Sequence, residues 1–474
     1  MDQYKNSKLK VFCFLDKALG RDTEILLPVI YGLEKATDCV IKVLFLWDIF
    51  RIKLESPDLI ILPNAKGHHM YFEIAKYAHS CGIKVFALES EGNFRTDGSF
   101  PYWGYNQDKI FYQEYVTCWS ERSLKFIKSI APEAQKSKVV LTGATGFDRY
   151  VICKFLSKND FLKKYNKQQF KKIVGYAGWG FGKIHSDHKD VALNHIFPDD
   201  REKRFAWVEK NRRFVRDILK QAIEDHPDIL FVFKRHPKEA FESDLSEGPN
   251  EMNELLGYEN VLYFWHEEQI HDLINISDFW LGFETTTSLE AWLLNKQTIL
   301  INDDTDFPRN NLHIGSPKIS TYKELKTVVN EYYSNASISI FQQEQLEENR
   351  AFLVGDTIGF DDGKNHLRVL YYLLKTVDSM KLREDKPKLN LRHLRLYLLM
   401  HLGKYFYNKS IFKKLPYFKK TIYVFESMNL PGFNARRKEY MRDLDEFYKN
   451  EHIDKKLKNR DWEAIFPLDF LKSN

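Results

Sequence analysis

Short apolar runs alternate with longer stretches of helical spacing along the first third of the chain. Six runs have the length and composition of buried strands: residues 11–16, 40–47, 58–64, 83–89, 116–120 and 138–143. Between two of them, residues 70–82 repeat apolar positions at helical spacing and stop at Gly82. Strands that alternate with helices are typical of βαβ units, whose strands pair in parallel. The pattern predicts a Rossmann-like N-terminal domain over residues 1–160.

The same alternation starts again after a polar, lysine-rich stretch at residues 157–172, which we interpret as the connection between two domains. Further predicted strands and a charged amphipathic helix follow, at residues 173–178, 201–224, 229–237, 261–265, 279–283 and 297–302. They predict a second Rossmann-like domain over residues 170–375. From residue 380 to 474 the chain is helical, basic and aromatic. The fold class is therefore α/β of the GT-B plan, two Rossmann-like domains facing a cleft, with a helical basic C-terminal segment.

Composition narrows the class of protein without naming its chemistry. The 474 residues are 43% hydrophobic and 29% charged, which is typical of a packed globular protein, and a net charge of +5 does not indicate nucleic-acid binding. Five widely spaced cysteines without a CxxC pair predict buried free thiols in a reducing cytoplasm. No apolar run approaches the roughly 18 residues of a membrane span. We expect a cytoplasmic protein, and peripheral contact with the inner face of the cytoplasmic membrane stays open.

Ligands of parallel α/β domains bind beyond the carboxyl ends of the strands, so the loops that follow the predicted strands are the candidate sites. The loop after residue 88 contains Glu89, Ser90, Glu91 and Gly92. Transfer onto a hydroxyl needs a base to accept its proton, and Glu91 is the candidate, with Glu89 as the second choice. A solvated acidic turn is the alternative.

The strand predicted at residues 229–237 ends in a strongly basic cluster. Its polar side chains are Lys234, Arg235, His236 and Lys238. This cluster suits a phosphate leaving group, to which His236 would donate a proton or a hydrogen bond. A basic surface loop is the alternative.

Hydroxyl side chains follow the predicted strand at residues 279–283 and precede a helix. The loop and first helical turn contain Glu284, Thr285, Thr286, Thr287, Ser288 and Glu290. Hydroxyls and free amides at a helix start can bind a phosphate, and Glu290 could accept from a ribose or serve as a capping partner. A plain helix cap is the alternative. Gly178 and Gly180 let the backbone approach a ligand, although their loop is neither a GxGxxG fingerprint nor a P-loop.

Three pairs, Glu91-Gly92, His236-Pro237 and Thr286-Thr287, occur in an order that resembles bacterial GT-B transferases using CMP-activated sugar acids, the sialic acid and Kdo transferases. Residues 141–150 and 284–301 also look like the surface carbohydrate biosynthesis proteins and the CDP-glycerol glycerophosphotransferases. The chain departs from the motif at Ser90, where these transferases usually have a second acid. The resemblance covers roughly residues 10–375.

The resemblance implies a glycosyltransferase that moves a sugar or sugar acid, from a CMP-sugar acid first, to a surface polysaccharide or lipid-linked glycan such as capsule or lipopolysaccharide. It implies that Glu91 is the base, His236 assists the leaving phosphate, and Thr286 and Thr287 hold that phosphate. It further implies no metal and no cofactor. The alternatives are a glycerophosphotransferase, a GT-B-like nucleotide-sugar epimerase and a non-catalytic binding protein.

The C-terminal segment allows two interpretations. Residues 392–420 mix Leu, Tyr and Phe with Lys and Arg. Such a helix either lies on an anionic bilayer or packs back on the domains.

Overall fold

The structure is a computed structural model of the chain. It describes residues 8–17, 20–93, 109–178, 201–235, 251–264, 267–283, 285–302, 311–381, 391–406, 409–410, 414, 430–467 and 470. The described chain divides into two compact units. Unit 1 contains residues 1–94, 98–153 and 356–474, and unit 2 contains residues 95–97 and 154–355.

Unit 1 is built on a six-stranded parallel sheet. Its strands are β1 (Lys10–Leu15), β2 (Val40–Phe45), β3 (Leu59–Leu62), β4 (Lys84–Ala87), β5 (Val116–Cys118) and β6 (Val139–Leu141). Their order is β2-β1-β3-β4-β5-β6. The connecting helices are α1 (Arg21–Ala36), α2 (Arg51–Glu55), α3 (His69–Ser80), α4 (Glu121–Ile130) and α5 (Arg149–Ile152). The six predicted strands are confirmed, each within a few residues of the predicted bounds.

Successive residues of β1 point to opposite faces of the sheet. Val11 and Cys13 belong to the core on one face, whereas Phe12 and Phe14 belong to the core on the other. A sheet that is covered by helices on both faces needs apolar side chains at every position. This is why the strands appear in the sequence as continuous apolar runs.

The C-terminal part of the chain returns to unit 1. From Asp356 onward it contributes α12 (Asn365–Ser379), α14 (Leu430–Asn450) and α15 (Ile453–Lys458), which pack against α1. The central residues of α1 are buried on every side, so this helix needs cover beyond the sheet. The predicted division, with a second domain to residue 375 and a separate segment from 380, therefore differs from the units of the structure.

A buried ion pair joins the C-terminal helix α14 to α1. The two guanidinium nitrogens Nε and Nη2 of Arg436 on α14 donate to the two carboxylate oxygens of Glu24 on α1, each at 2.7 Å. Both side chains are nearly buried, at 11% and 5% exposure. A bidentate pair of this kind sets the register of α14 on α1.

The predicted basic helix is α13 (Leu391–Phe406), and one side of it packs on unit 1. Lys404 pairs with the buried Asp48, and the ring of Tyr397 contacts the ring of Phe50, with centroids 6.5 Å apart. Of the two interpretations of this segment, packing back on the domains therefore holds for this side of α13. No helix within the described ranges is both long enough and apolar enough to cross a membrane.

Unit 2 is a second six-stranded parallel sheet with the order β12-β11-β10-β7-β8-β9. Its strands are β7 (Lys172–Gly178), β8 (Ile229–Lys234), β9 (Val261–Phe264), β10 (Phe279–Phe283), β11 (Thr298–Ile301) and β12 (Lys318–Ile319). Its helices are α6 (Lys158–Lys164), α7 (Arg201–Asp225), α8 (Ile270–Ile276), α9 (Thr287–Leu293), α10 (Tyr322–Asn335) and α11 (Glu344–Ile358), of which α11 ends in unit 1.

The stretch that we predicted as the domain connection lies inside unit 2. Ser157 caps α6, its hydroxyl accepting from the Asp160 amide at 3.1 Å, and Phe161 is fully buried. The units change between Cys153 and Lys154. The lysine-rich composition hid this short helix because only two of its side chains, Phe161 and Leu162, are buried.

All five cysteines lie in the described part of the chain and are free thiols, but the prediction that they are buried holds only for Cys13 and Cys118, since Cys39, Cys81 and Cys153 are partly exposed. Cys13 and Cys118 are buried, and burial raises the pKa of both thiols.

Candidate functional site

Each sheet reverses its strand order once, and the reversal defines where a ligand would bind. In unit 1 the switch lies between β1 and β3, and in unit 2 it lies between β7 and β10. In open parallel sheets, ligands bind outside the carboxyl ends of the strands at such switch points. The candidate residues predicted from the sequence follow strands at or beside these two points.

In unit 1, a buried carboxylate lies next to the switch point. The Glu89 side chain follows β4, and the residue is only 2% exposed. The Asn64 amide, which follows β3, donates to Glu89 Oε1 at 2.8 Å and to the Ser90 hydroxyl at 3.1 Å. The Glu91 amide also donates to Glu89 Oε1, at 3.2 Å. Glu89 is therefore engaged in holding the loop, which makes it a poor candidate for contact with a substrate.

Glu91 is the accessible carboxylate of the same loop. Its side chain is 34% exposed and forms an ion pair with Arg21, the first residue of α1. Arg21 Nη1 also lies 3.4 Å from the Ser90 carbonyl oxygen. Gly92 follows, and a Cβ there would overlap the indole of Trp119. The turn thus requires glycine at position 92, and Arg21 pairs with the Glu91 carboxylate.

A second polar group lies beside this loop and was not identified in the sequence. The Tyr71 hydroxyl donates to Asp22 Oδ2 at 2.6 Å, and burial is the main cause that raises the pKa of Asp22. The ring of His68 lies 4.8 Å from the ring of Tyr71, and its buried Nδ1 makes no hydrogen bond.

The strand-end rule could have found part of this cluster. Asn64 is the last residue of a predicted strand, and Arg21 and Asp22 follow the loop after β1. No sequence pattern pairs Tyr71 with Asp22, because they are 49 residues apart and meet only in the folded sheet.

In unit 2, the three predicted loops follow three adjacent central strands. Phe283, the last residue of β10, pairs with Gly178, the last residue of β7. Ala177 pairs with Lys234, the last residue of β8. Three loops therefore begin side by side at one edge of the sheet: the basic loop after Lys234, the glycine loop after Gly178 and the threonine loop after Phe283.

Lys234 supplies a half-buried cation at this edge. Its Nζ donates to the Glu268 carbonyl oxygen at 2.7 Å. Burial lowers the pKa of Lys234 to about 8, against the opposing effect of Glu267 and Glu268. Arg235 follows, and its backbone amide donates to the Phe264 carbonyl at 2.8 Å, which extends the pairing with β9 by one residue. The side chain of Arg235 is half-buried.

The threonine loop (residues 285–288) uses two of its four hydroxyls in internal hydrogen bonds. Thr287 Oγ1 accepts from the indole nitrogen of Trp280 at 2.9 Å and from the Thr285 hydroxyl at 3.1 Å. The Ser288 side chain is buried, and its hydroxyl makes no hydrogen bond. Thr286 makes no capping hydrogen bond at the start of α9 and is half-buried. Of the four predicted hydroxyls, Thr286 is thus the one best placed to meet a ligand.

Glu290 lies in the first turn of α9 and is half-buried. The predicted residues Gly180, His236, Lys238 and Glu284 lie outside the described residues. Within the described ranges, no three or more His, Cys, Asp or Glu side chains are grouped to hold a metal ion.

The two edges differ in chemistry. The edge of unit 1 presents the accessible carboxylate of Glu91, which can accept a proton. At the edge of unit 2 lie the cation of Lys234, the Thr286 hydroxyl and Gly178, the last residue of β7. This combination suits phosphate oxygens.

Comparison with known proteins supports the fold. No family model matches the chain, and no curated protein matches it. Among solved structures, it is similar to a co-structure of S. aureus MnaA with UDP, at a TM-score of 0.51 and 13% identity over 80% of this chain and 99% of that one. It is also similar to a UDP-N-acetylglucosamine 2-epimerase, at a TM-score of 0.50 and 12% identity over 80% and 99% of the two chains.

Similarity at this level of identity defines the fold. The two-domain α/β fold of the GT-B type, predicted from the strand pattern, is confirmed. The narrower resemblance to CMP-sugar-acid transferases finds no support in the family comparison and stays a prediction.

Proposed function

We propose that this protein is an enzyme that binds a nucleotide sugar, with the phosphates at the switch point of unit 2, and that it epimerises the sugar of a UDP-sugar. The observation that carries the proposal is the register of β10, β7 and β8. It brings Gly178, Lys234 and the threonine loop to one edge of the sheet. The proposed ligand is a diphosphate because cations, glycine and a free hydroxyl converge there.

Lys234 and Arg235 would neutralise the phosphate oxygens, and Thr286 would donate a hydrogen bond. A lysine whose pKa is lowered by burial regains its full charge when a phosphate dianion approaches, because an opposite charge favours the protonated form. The role of His236 in assisting the leaving phosphate remains part of the proposal.

Glu91 would serve as the base. Loss of a proton from a sugar carbon leaves an electron pair there, and this pair would form a C=C bond while the neighbouring C–O bond to the nucleotide phosphate breaks. Addition of a proton to the opposite face, with that C–O bond formed again, would give the epimer. The ion pair with Arg21 keeps the Glu91 carboxylate in one orientation without burying it. Glu89 would act as a positioning residue, through its hydrogen bonds with Asn64 and the Glu91 amide.

Epimerisation is the first reaction to test because a UDP-N-acetylglucosamine 2-epimerase is among the solved proteins with this fold. Glycosyl transfer is the second candidate, supported by the order of Glu91-Gly92, His236-Pro237 and Thr286-Thr287 in the sequence. Its donor would be a CMP-sugar acid and its acceptor a surface polysaccharide or lipid-linked glycan. CDP-glycerol is the further donor to include in the screen.

The test combines nucleotide binding with product analysis. Thermal-shift measurements with UDP, CMP, CDP and GDP identify the nucleotide, since a ligand of the folded state raises its melting temperature. UDP-N-acetylglucosamine is then incubated with the protein in D2O. An epimerase yields a new nucleotide sugar that carries one deuterium, whereas a transferase releases free nucleotide only when an acceptor is added.

Variants connect the result to the site. Glu91→Gln is expected to reduce turnover by roughly 10²–10⁴-fold, the usual contribution of a general base. Glu133→Gln is the matched control, because the Glu133 side chain is 87% exposed on the surface of the same unit. Equal activity of both variants would remove Glu91 from the mechanism. No shift with any nucleotide would favour a non-catalytic protein.

A further inference from the structure

One face of α13 is apolar and exposed to solvent. Leu391, Leu398, Leu402 and Tyr405 are exposed by 78%, 52%, 44% and 63%. At the 3.6-residue period of an α-helix, their spacing puts them within one stripe of roughly 100°, and the exposed Arg395 lies in the same stripe. We call these five residues the α13 stripe.

The opposite side of α13 is attached to unit 1, which fixes the orientation of the stripe. Gly403 is buried, and Lys404 pairs with Asp48. The guanidinium of Arg51 lies 5.5 Å from the centre of the Tyr397 ring, and Met400 packs against the main core of unit 1. The helix therefore has its own contacts with unit 1, and these contacts leave the stripe uncovered.

Positive charge is concentrated in the part of the sequence that contains α13. Residues 381–420 contain 12 Lys and Arg against 2 Asp and Glu, a formal charge of +10. The whole chain has a charge of +5, so the remainder carries −5. Among the described Lys and Arg residues of this segment, Lys381, Arg395, Lys409 and Lys414 are exposed. A positive segment in an otherwise negative chain is complementary to an anionic surface.

We propose that the α13 stripe lies on an anionic lipid bilayer and holds the protein at a membrane surface. Exposed leucines with a tyrosine, flanked by basic residues, are the features of a helix that lies in the plane of the bilayer interface. A soluble polyanion would need the charges but not the exposed leucines. A second copy of this chain would meet the same positive charge and be repelled by it.

Vesicle flotation of the full chain tests this surface. Vesicles of phosphatidylcholine alone are compared with vesicles that also contain phosphatidylglycerol, at low and at high salt. We expect flotation only with the anionic vesicles, and weaker flotation at high salt because exposed charges are screened. Absence of flotation with anionic vesicles at low salt, or equal flotation with neutral vesicles, would overturn the proposal.

Two pairs of variants separate the apolar contribution from the charge. Leu398→Gln with Leu402→Gln should abolish flotation without a change of net charge, whereas Phe352→Gln, at a 64% exposed phenylalanine of α11, should leave it unchanged. Flotation of the double leucine variant at the wild-type level would mean that charge alone binds, and the proposal would fail. All three positions are exposed, so the melting temperatures should match the wild type.

The charge pair is Arg395→Gln with Lys409→Gln. Each lost charge should reduce partitioning to anionic vesicles roughly fivefold, which corresponds to about 1 kcal/mol. Lys163→Gln with Lys220→Gln, both exposed on unit 2, is the matched control and should have no effect.

Light scattering after size exclusion tests whether a second copy of the chain covers the α13 stripe instead. A wild-type dimer that becomes a monomer in the double leucine variant would assign the stripe to a second copy instead.

Discussion

Lys234 is the residue whose replacement tests the candidate phosphate site most directly. It ends β8, and burial lowers its pKa from 10.5 to about 8. Its ammonium group is therefore an unfavourable charge in the free protein, and we expect that Lys234→Met stabilises the fold while it weakens nucleotide binding. Stability and function are opposed in this way when a charge is retained for a ligand.

The magnitude follows from the pKa. A displacement from 10.5 to about 8 corresponds to about 3 kcal/mol, and loss of the hydrogen bond to the Glu268 carbonyl offsets about 1 kcal/mol. Because the side chain is only half-buried and partly hydrated, we expect a net gain of about 1 kcal/mol. For a unit of about 200 residues this raises the melting temperature by roughly 2–4 °C.

The dependence on pH has a definite sign. The folded state holds the Lys234 proton more weakly than the unfolded state, so the destabilisation is fully present below pH 8. It disappears as the pH rises from about 8 to 10.5, where only the unfolded state remains protonated. The advantage of Lys234→Met should therefore be largest at neutral pH and shrink in alkaline buffer.

The assay is differential scanning fluorimetry at neutral and alkaline pH, with and without UDP. Lys318→Met, at an exposed position on the edge strand β12 of the same sheet, is the matched control and should change neither stability nor binding. A lower melting temperature for Lys234→Met at neutral pH, or a gain that is independent of pH, would refute the electrostatic reasoning. An undiminished UDP shift would refute the phosphate role.

Two further predictions concern the folds of the units. Arg436→Met should destabilise unit 1 by about 3–5 kcal/mol because it leaves the Glu24 carboxylate buried without its bidentate partner, whereas Arg437→Met, at an exposed ion pair, should cost under about 1 kcal/mol. Urea denaturation measures both, and similar midpoints would contradict the assignment. Gly175→Ala in β7 should destabilise unit 2 by about 1–3 kcal/mol or more, since its Cβ would overlap a buried indole ring. Gly257→Ala, with open space around its Cβ, should be neutral, and equal melting temperatures for these two variants would show that the core relaxes around the extra methyl group.

The similarity of predicted and observed strands has a local cause. β10 was predicted at its observed bounds, and the other strands except β12 were predicted within a few residues, because a strand buried on both faces appears as an apolar run. The edge strand β12 was not predicted, since its two residues are too few to form such a run. The candidate loops were found for the same reason, since each polar residue that follows such a run lies at a strand end. Gly178, Lys234 and Thr285 follow from this rule alone.

The strand-end rule did not predict which candidate side chains are accessible and which are held by hydrogen bonds. Glu89 and Glu91 are two residues apart in one acidic loop, yet one is held by Asn64 and the other is accessible. Thr286 and Thr287 are adjacent, yet only Thr287 accepts a hydrogen bond from the Trp280 indole. These differences depend on partners that are brought from other strands.

Burial and periodicity are local properties of the chain, and the class of fold, the number of sheets and the strand-end positions of the candidate residues follow from them. Strand order, and with it the adjacency of Gly178 and Phe283 at a switch point, is known only from the folded structure. Only that structure shows that the chain from Asp356 returns to cover α1. An apolar helix face specifies that it must be covered, but not by which segment, and that choice depends on long-range contacts such as the pair of Glu24 and Arg436.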